Sequence, residues 1–269
     1  MPAENFLLSN WEREVDSLKK HLKKFSTERI ELIHKFRINI KKLRAYLKLY
    51  LLITKRKEDR ELFMETENLF SVFGEHRNME LNKTRSKKIF PADKNLADSY
   101  VHWLNENQSK LEIELKLRQY HPGSLDVLSA VMKENMLNRD GEVLVKDISD
   151  INHHYLKKAK KHMHYFGQNF HMIRKELKTI FYLSKISFPG AGFSKAEIEQ
   201  LEEVLELLGS IKDNEVTRDL LHQFHGSLIN GWEKHLVERS ISKIVLKKEE
   251  ELVKVQKMAE GFLKEKDSN

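Results

Sequence analysis

The chain has 269 residues, with 48 Lys and Arg against 41 Asp and Glu, 13 His and no cysteine. Its length allows one large domain or two modest ones around a buried core, and the missing thiols exclude disulfide scaffolds, cysteine-zinc sites and cysteine nucleophiles. Gly 10 and Pro 4 make up about 5% of the residues, against roughly 12% in average usage, which leaves too little turn chemistry for sandwiches, barrels or propellers.

Helical periodicity starts at Glu4 and runs to Phe25, with Phe6, Leu7, Trp11, Val15, Leu18 and Leu22 at three-to-four spacing. Ser26 or Thr27 caps a second helix to about Thr54, and further patterns cover Glu58 to Phe73, Glu75 to Phe90 and Asp93 to Tyr120. Gly74 and Pro91 punctuate them, and His121-Pro122-Gly123 is the sharpest breaker in the chain. Beyond it come Ser124 to Leu137, a polar turn at Asn138 to Gly141, and one long helix from about Asp150 to Ile186. A loop at Phe188 to Phe193 is followed by helices from Ser194 to Leu208, Asp213 to Leu228 and Trp232 to Lys264. The fold class expected is all-α. The segment from Met1 to Arg13 carries Glu4 and Glu12 and no basic lead, so it does not read as a secretory signal. The best apolar stretch, Tyr46 to Thr54, is too short for a membrane span and is interrupted by Lys48, so a cytoplasmic protein is expected.

Two halves, 1–121 and 122–269, read as copies, each a helical repeat of one unit. In the first, His34, Arg37, Lys41 and Arg44 fall within an arc of roughly 80° at about 100° per residue, and Lys48 extends the row. Lys42 belongs to the same basic segment, while Leu32, Phe36, Leu43 and Leu47 occupy a separate, core-facing arc. In the second half His154, Lys157, Lys161 and His164 repeat the geometry. No acid lies between Ile33 and Lys57 or between Ile151 and Lys175. Like charges at i,i+3 and i,i+4 cost a few tenths of a kcal/mol per pair, so two such rows point to a polyanion. A Gly-led motif follows each row: Gly74-x-x-Arg77-Asn78-x-Glu80-Leu81, echoed by Gly209-x-x-Lys212-Asp213-x-Glu215-Val216.

A His with Arg at +3, basic residues at +7 and +8 and Arg at +10, followed about 40 residues later by a Gly-x-x-Arg-Asp-x-Asp-like motif, resembles the CHAD family, the conserved-histidine α-helical domain. The resemblance covers nearly the whole chain. It implies two pseudo-symmetric helical bundles whose basic helices line a channel or groove, and a non-catalytic binder of inorganic polyphosphate, sometimes located on polyphosphate granules. No cofactor or bound metal is implied. Departures from the family pattern are Lys41 and Lys42 in place of Arg, Asn78 and Glu80 in place of Asp, Lys157 and Lys212 in place of Arg, and His162 and His164 in place of permanently charged residues. Lysine lacks the bidentate fork of arginine, so the second half is expected to grip phosphate less directionally.

On this reading Arg37, Arg44 and Arg77 offer paired N–H groups to phosphate and the lysines add non-directional attraction, while His34 and His154 donate when protonated. Asp213, Glu215 and Glu80 are expected to hold neighbouring cations, with a helix N-cap as the alternative for Asp213. Single-stranded nucleic acid is the rival ligand, disfavoured because only Tyr165 offers an aromatic platform near a basic row. A third reading is a metal-dependent phosphohydrolase built on Asp219-x-x-His222-x-x-His225, although no second helix is identified to complete that site. Glu112-x-Glu114-x-Lys116 matches a motif of the triphosphate-tunnel enzymes, which need many strands, and reads here as a helix segment.

Overall fold

A computed structural model describes residues 3–24, 30–117, 123–136, 141–186 and 193–265. The described residues form nine α-helices and no strand: α1 (Ala3–Lys24), α2 (Ile30–Thr54), α3 (Met64–Ile89), α4 (Lys94–Leu117), α5 (Gly123–Met136), α6 (Gly141–Met163), α7 (Phe166–Ile186), α8 (Lys195–Ser227) and α9 (Gly231–Glu265). A 3₁₀ turn over Lys57–Phe63 leads into α3. None of the helices is long and apolar enough to cross a membrane. The breaker at His121-Pro122, the turn at Asn138 and most of the loop from Phe188 lie outside the described residues.

Three expectations give way. Gly74 and Gly209 do not end helices, because α3 and α8 run straight through them. An interior glycine costs about 1 kcal/mol against alanine, which burial of the flanking Val72, Phe73, Leu208 and Ile211 outweighs. Asp213 therefore sits inside α8, where it caps nothing.

The third change matters most. The helix expected from Asp150 to Ile186 is two helices, with a turn at His164 and Tyr165. Each side of the turn carries its own apolar stripe: Leu144, Ile148, Tyr155, Leu156 and Ala159 on α6, and Phe166, Phe170, Ile173, Leu177 and Ile180 on α7. Folding back lets both stripes be buried in one core, which a single straight rod would not allow. Asn169 donates to the His162 carbonyl at 3.3 Å, satisfying an end-of-helix acceptor, and His162 meets Glu176 of α7 at 3.0 Å.

The helices divide into two compact units. Residues 1–71, 120–205 and 260–269 make the first, and residues 72–119 and 206–259 the second. Each draws on both sequence halves, so the units cut across the boundary at 121/122, and α3, α8 and α9 each contribute to both. In the first unit α1 packs on α2 and α5, and α2 packs on α7. Trp11, Leu18, Phe36, Ile40 and Leu43 are buried there. Trp11 donates its indole N–H to Ser129 of α5 at 2.8 Å, so the largest core side chain leaves no polar atom unpaired. The second unit closes around Phe90, Leu96, Tyr100, Leu104, Leu221, Phe224 and Val237, with Tyr100 donating to Asn82 at 3.2 Å.

Candidate functional site

In the first unit the α2 row divides according to what each side chain meets. Lys42 turns to α1, where the buried Glu14 carboxylate takes its ammonium at 2.7 Å. Glu14 matches its charge there, while 41% of the lysine side chain stays exposed. Arg37 and Arg44 lie one on each side of a two-turn interval and share the Phe70 ring, at 4.2 and 4.0 Å from its centroid. Arg37 also donates to the Phe70 carbonyl at 2.9 Å, and Arg44 stands 3.4 Å from Glu67. Burial lowers the pKa of Arg44, and Glu67 works against that shift. Two guanidiniums fixed on one aromatic ring are held in place before any ligand arrives.

Lys48 reaches α7, donating to Thr179 at 2.8 Å, with its ammonium 4.1 Å from the centre of the Tyr155 ring. Burial and then Lys158 push its pKa down to about 8, against the opposing pull of Glu176.

The centre of the charge is a residue that the sequence reading passed over. Lys178 of α7 is half-buried, and the charges acting on it are, in order, those of Lys41, Arg174, Arg37 and Arg44. Burial first, then those four cations, bring its pKa down from 10.5 to about 7. Arg174 and Arg37 also act on Tyr182, one turn further along α7, whose hydroxyl burial pushes up to about 12. The face between α2 and α7 thus gathers Arg37, Lys41 and Arg44 from one helix and Arg174 and Lys178 from the other. A signal for the second set was present: His171-x-x-Arg174-x-x-x-Lys178 has the spacing of His34-x-x-Arg37-x-x-x-Lys41.

The row on α6 has a different setting. His154, Lys157, Lys161 and His164 are all exposed. The His154 ring meets Tyr155 edge-on, and Lys158 extends over the other side of the same tyrosine at 5.6 Å. His34 is exposed as well.

The Gly-led motifs both lie in the second unit. Arg77 makes a two-pronged bond to Asp213, 2.6 Å and 3.0 Å, with Asn78 accepting weakly from the same guanidinium at 3.5 Å. Glu215 is buried and receives Lys212 at 3.2 Å and Lys248 at 2.7 Å. Glu80 accepts from Lys83 at 2.8 Å and from Gln108 at 2.7 Å, and its pKa stays below the usual carboxylate value because those donors outweigh its burial. Lys83 and Gln108 also contact each other, and Gln108 lies against the buried His76 ring, which stands 3.6 Å from Glu112. Burial lowers the pKa of His76. In these motifs Asp213 neutralises Arg77, Glu215 neutralises Lys212 and Lys248, and Glu80 neutralises Lys83.

On α8, Asp219 pairs with its neighbour Arg218 at 2.7 Å, His225 meets Glu238 at 3.1 Å, and His222 is exposed. Among the described residues no three metal-ligating side chains come together.

No curated protein matches the chain in sequence. Among solved structures, the crystal structure of the CHAD domain from the plant Ricinus communis is similar to it, with a TM-score of 0.75 and 14% identity over 97% of this chain and 92% of that one. At that identity the likeness shows the all-helical fold alone. The sequence model of the CHAD domain matches residues 9–222, most of the length, and on that match the chain belongs to the CHAD domain family.

Proposed function

We propose that this CHAD protein binds inorganic polyphosphate, and does so without chemically transforming it. The observation that carries the reading is the face between α2 and α7, where Arg37, Lys41, Arg44, Arg174 and Lys178 stand together although like charges repel. A polyanion suits such a cluster, because its charge offsets their mutual repulsion. Arginine forks match phosphate oxygens in pairs, and the lysines add attraction without orientation. The repeated His-x-x-Arg-x-x-x-Lys spacing supports α2 and α7 as corresponding helices of the duplicated fold, with the ligand groove between them. The α6 row is exposed, and the Arg77 and Lys212 pairs belong to the second unit. The same reading puts the protein in the cytoplasm, on polyphosphate granules.

A polymer without bases fits better than nucleic acid. The rings next to the cluster are already engaged, Phe70 with two guanidiniums and Tyr155 with Lys48, so they offer no stacking platform. Titrating polyphosphate affinity against salt tests the proposal. With five cations neutralised, the logarithm of the binding constant falls with the logarithm of salt concentration at a slope of about −3 to −4, by analogy with single-stranded nucleic acid. Single-stranded RNA of equal charge competes weakly. Equal competition by RNA would favour the nucleic-acid reading, and absence of saturable binding would remove both.

A further inference from the structure

We propose that the hairpin of α6 and α7 docks on an anionic lipid surface, through a face separate from the groove between α2 and α7. At about 100° per residue His154, Lys157, Lys158 and Lys161 fall within an arc of roughly 100° on α6, and all four are exposed. The turn that follows presents His164 and Tyr165, exposed as well, at the apex of the hairpin. Three and four positions to either side of Lys157, Lys158 and Lys161 the chain places only lysine, histidine or tyrosine, so no carboxylate of the same helix face relieves them. Glu176 of α7 is buried and takes His162 at 3.0 Å. Asp147 and Asp150 lie toward the far end of α6, which leaves the positive charge concentrated at the apex end.

Along α7, Gln168, Met172 and Lys175 are exposed on one line, three or four positions apart. Lys48 of α2 joins that line to α6. It donates to Thr179, the next residue on the line, at 2.8 Å, and its ammonium lies 4.1 Å from the centre of the Tyr155 ring. The same ring is bordered by Lys158 at 5.6 Å and by His154 edge-on, so the strip is continuous from one helix to the other. Two apolar side chains stand among its cations: Tyr165, 68% exposed, and Met172, 46% exposed. A phosphate polymer gives them nothing to be buried in. An anionic bilayer answers both features, its headgroups meeting the lysines while the ring and the thioether enter the boundary with the acyl chains. Single-stranded RNA would use the cations, but its bases need successive stacking surfaces, and Tyr165 supplies one.

Sedimentation with large unilamellar vesicles tests this, with phosphatidylserine at about one third in phosphatidylcholine set against phosphatidylcholine alone, at about 0.1 M salt. The wild-type chain pellets with the anionic vesicles and stays in solution with the neutral ones. Lys157→Glu with Lys161→Glu lowers the partition at least about tenfold, since each lysine near the surface contributes several-fold. Arg37→Glu with Arg174→Glu removes the same charge from the groove and leaves the partition within about threefold. The chain has no cysteine, so Gln168→Cys offers a single attachment point for an environment-sensitive dye beside the apex. Its emission shifts to the blue on anionic vesicles as the apex enters the interface. Equal losses from the two charge pairs would overturn the docking surface in favour of diffuse attraction, and a dye that keeps its emission on pelleted vesicles would overturn insertion of the apex. Failure to pellet with anionic vesicles would overturn the proposal outright. If single-stranded RNA were then bound by the wild type and lost in the α6 pair, the strip would belong to nucleic acid.

Discussion

Replacing Arg37 and Arg174 together by Glu lowers the affinity for long-chain polyphosphate at least about 100-fold at 0.1 M salt. Each charge-assisted hydrogen bond to phosphate is worth about 1.5–3 kcal/mol, so losing two exceeds the 2.7 kcal/mol that corresponds to a hundredfold change before any repulsion is added. The salt slope becomes shallower by about 1.4 or more, since two neutralising contacts disappear at about 0.7 each. The fold survives, because the introduced carboxylates land among Lys41, Arg44 and Lys178 and relieve their mutual repulsion. The substitution removes the Arg37 bond to the Phe70 carbonyl and its stacking on that ring, at a half-buried site. Anisotropy of labelled polyphosphate, with circular dichroism on the same samples, separates lost binding from lost structure. Unchanged affinity in a folded variant would remove the groove from the account.

Lys178→Met raises the stability of the ligand-free protein at pH 7 by on the order of 2–4 kcal/mol, even though it weakens polyphosphate binding. The amine is depressed from 10.5 to about 7 by burial and by four cations, so a protonated Lys178 is a burden on the folded state. The direction with pH follows from proton counting. Between pH about 7 and 10.5 the unfolded chain holds the Lys178 proton and the folded chain does not, so wild-type stability rises with pH across that window. The penalty is fully present below pH about 7 and is gone above 10.5. The advantage of Lys178→Met is therefore greatest at and below neutrality and fades as pH approaches 10.5. Urea unfolding at pH 6.5, 8 and 9.5 reads this directly. A variant less stable than wild type at pH 6.5 would mean that Lys178 is compensated by a partner and is not under strain. A stabilising substitution that costs binding is the signature of a side chain kept for its ligand.

The helices were legible in the sequence where a single apolar stripe met a clear breaker. The spacing of Trp11, Val15 and Leu18 located α1, and the run from Trp232 to Lys264 closely anticipated α9. The turn at His164 and Tyr165 was hidden, because apolar periodicity continues on both sides of it and no proline marks it. Gly167 and Asn169 were the only local clues, and what fixes the turn is the packing of two stripes against each other. On α6 the lysines fall together because they share a solvent face. On α7 the pattern His171, Arg174, Lys178 is interleaved with Met172, Ile173 and Leu177 and reads as core.

The pairings were beyond a sequence pattern altogether. Lys42 belongs to Glu14 only because α1 packs on α2, and Arg77 meets Asp213, far away in the chain, only through the packing of the second unit. Residue types at fixed spacing said that cations and acids would be numerous. They did not say which cation would be left facing other cations, and that is a property of the tertiary arrangement.

The most direct test sets two folded variants side by side, Arg37→Glu with Arg174→Glu in the α2–α7 groove, and Lys157→Glu with Lys161→Glu on the exposed α6 face. The two pairs remove the same charge from the first unit. Polyphosphate affinity at one salt concentration collapses for the groove pair and changes less than about tenfold for the α6 pair, as expected for screened surface charges. Equal losses in both would show that net charge attracts the polymer without a defined site, and a larger loss from the α6 pair would move the site to that helix.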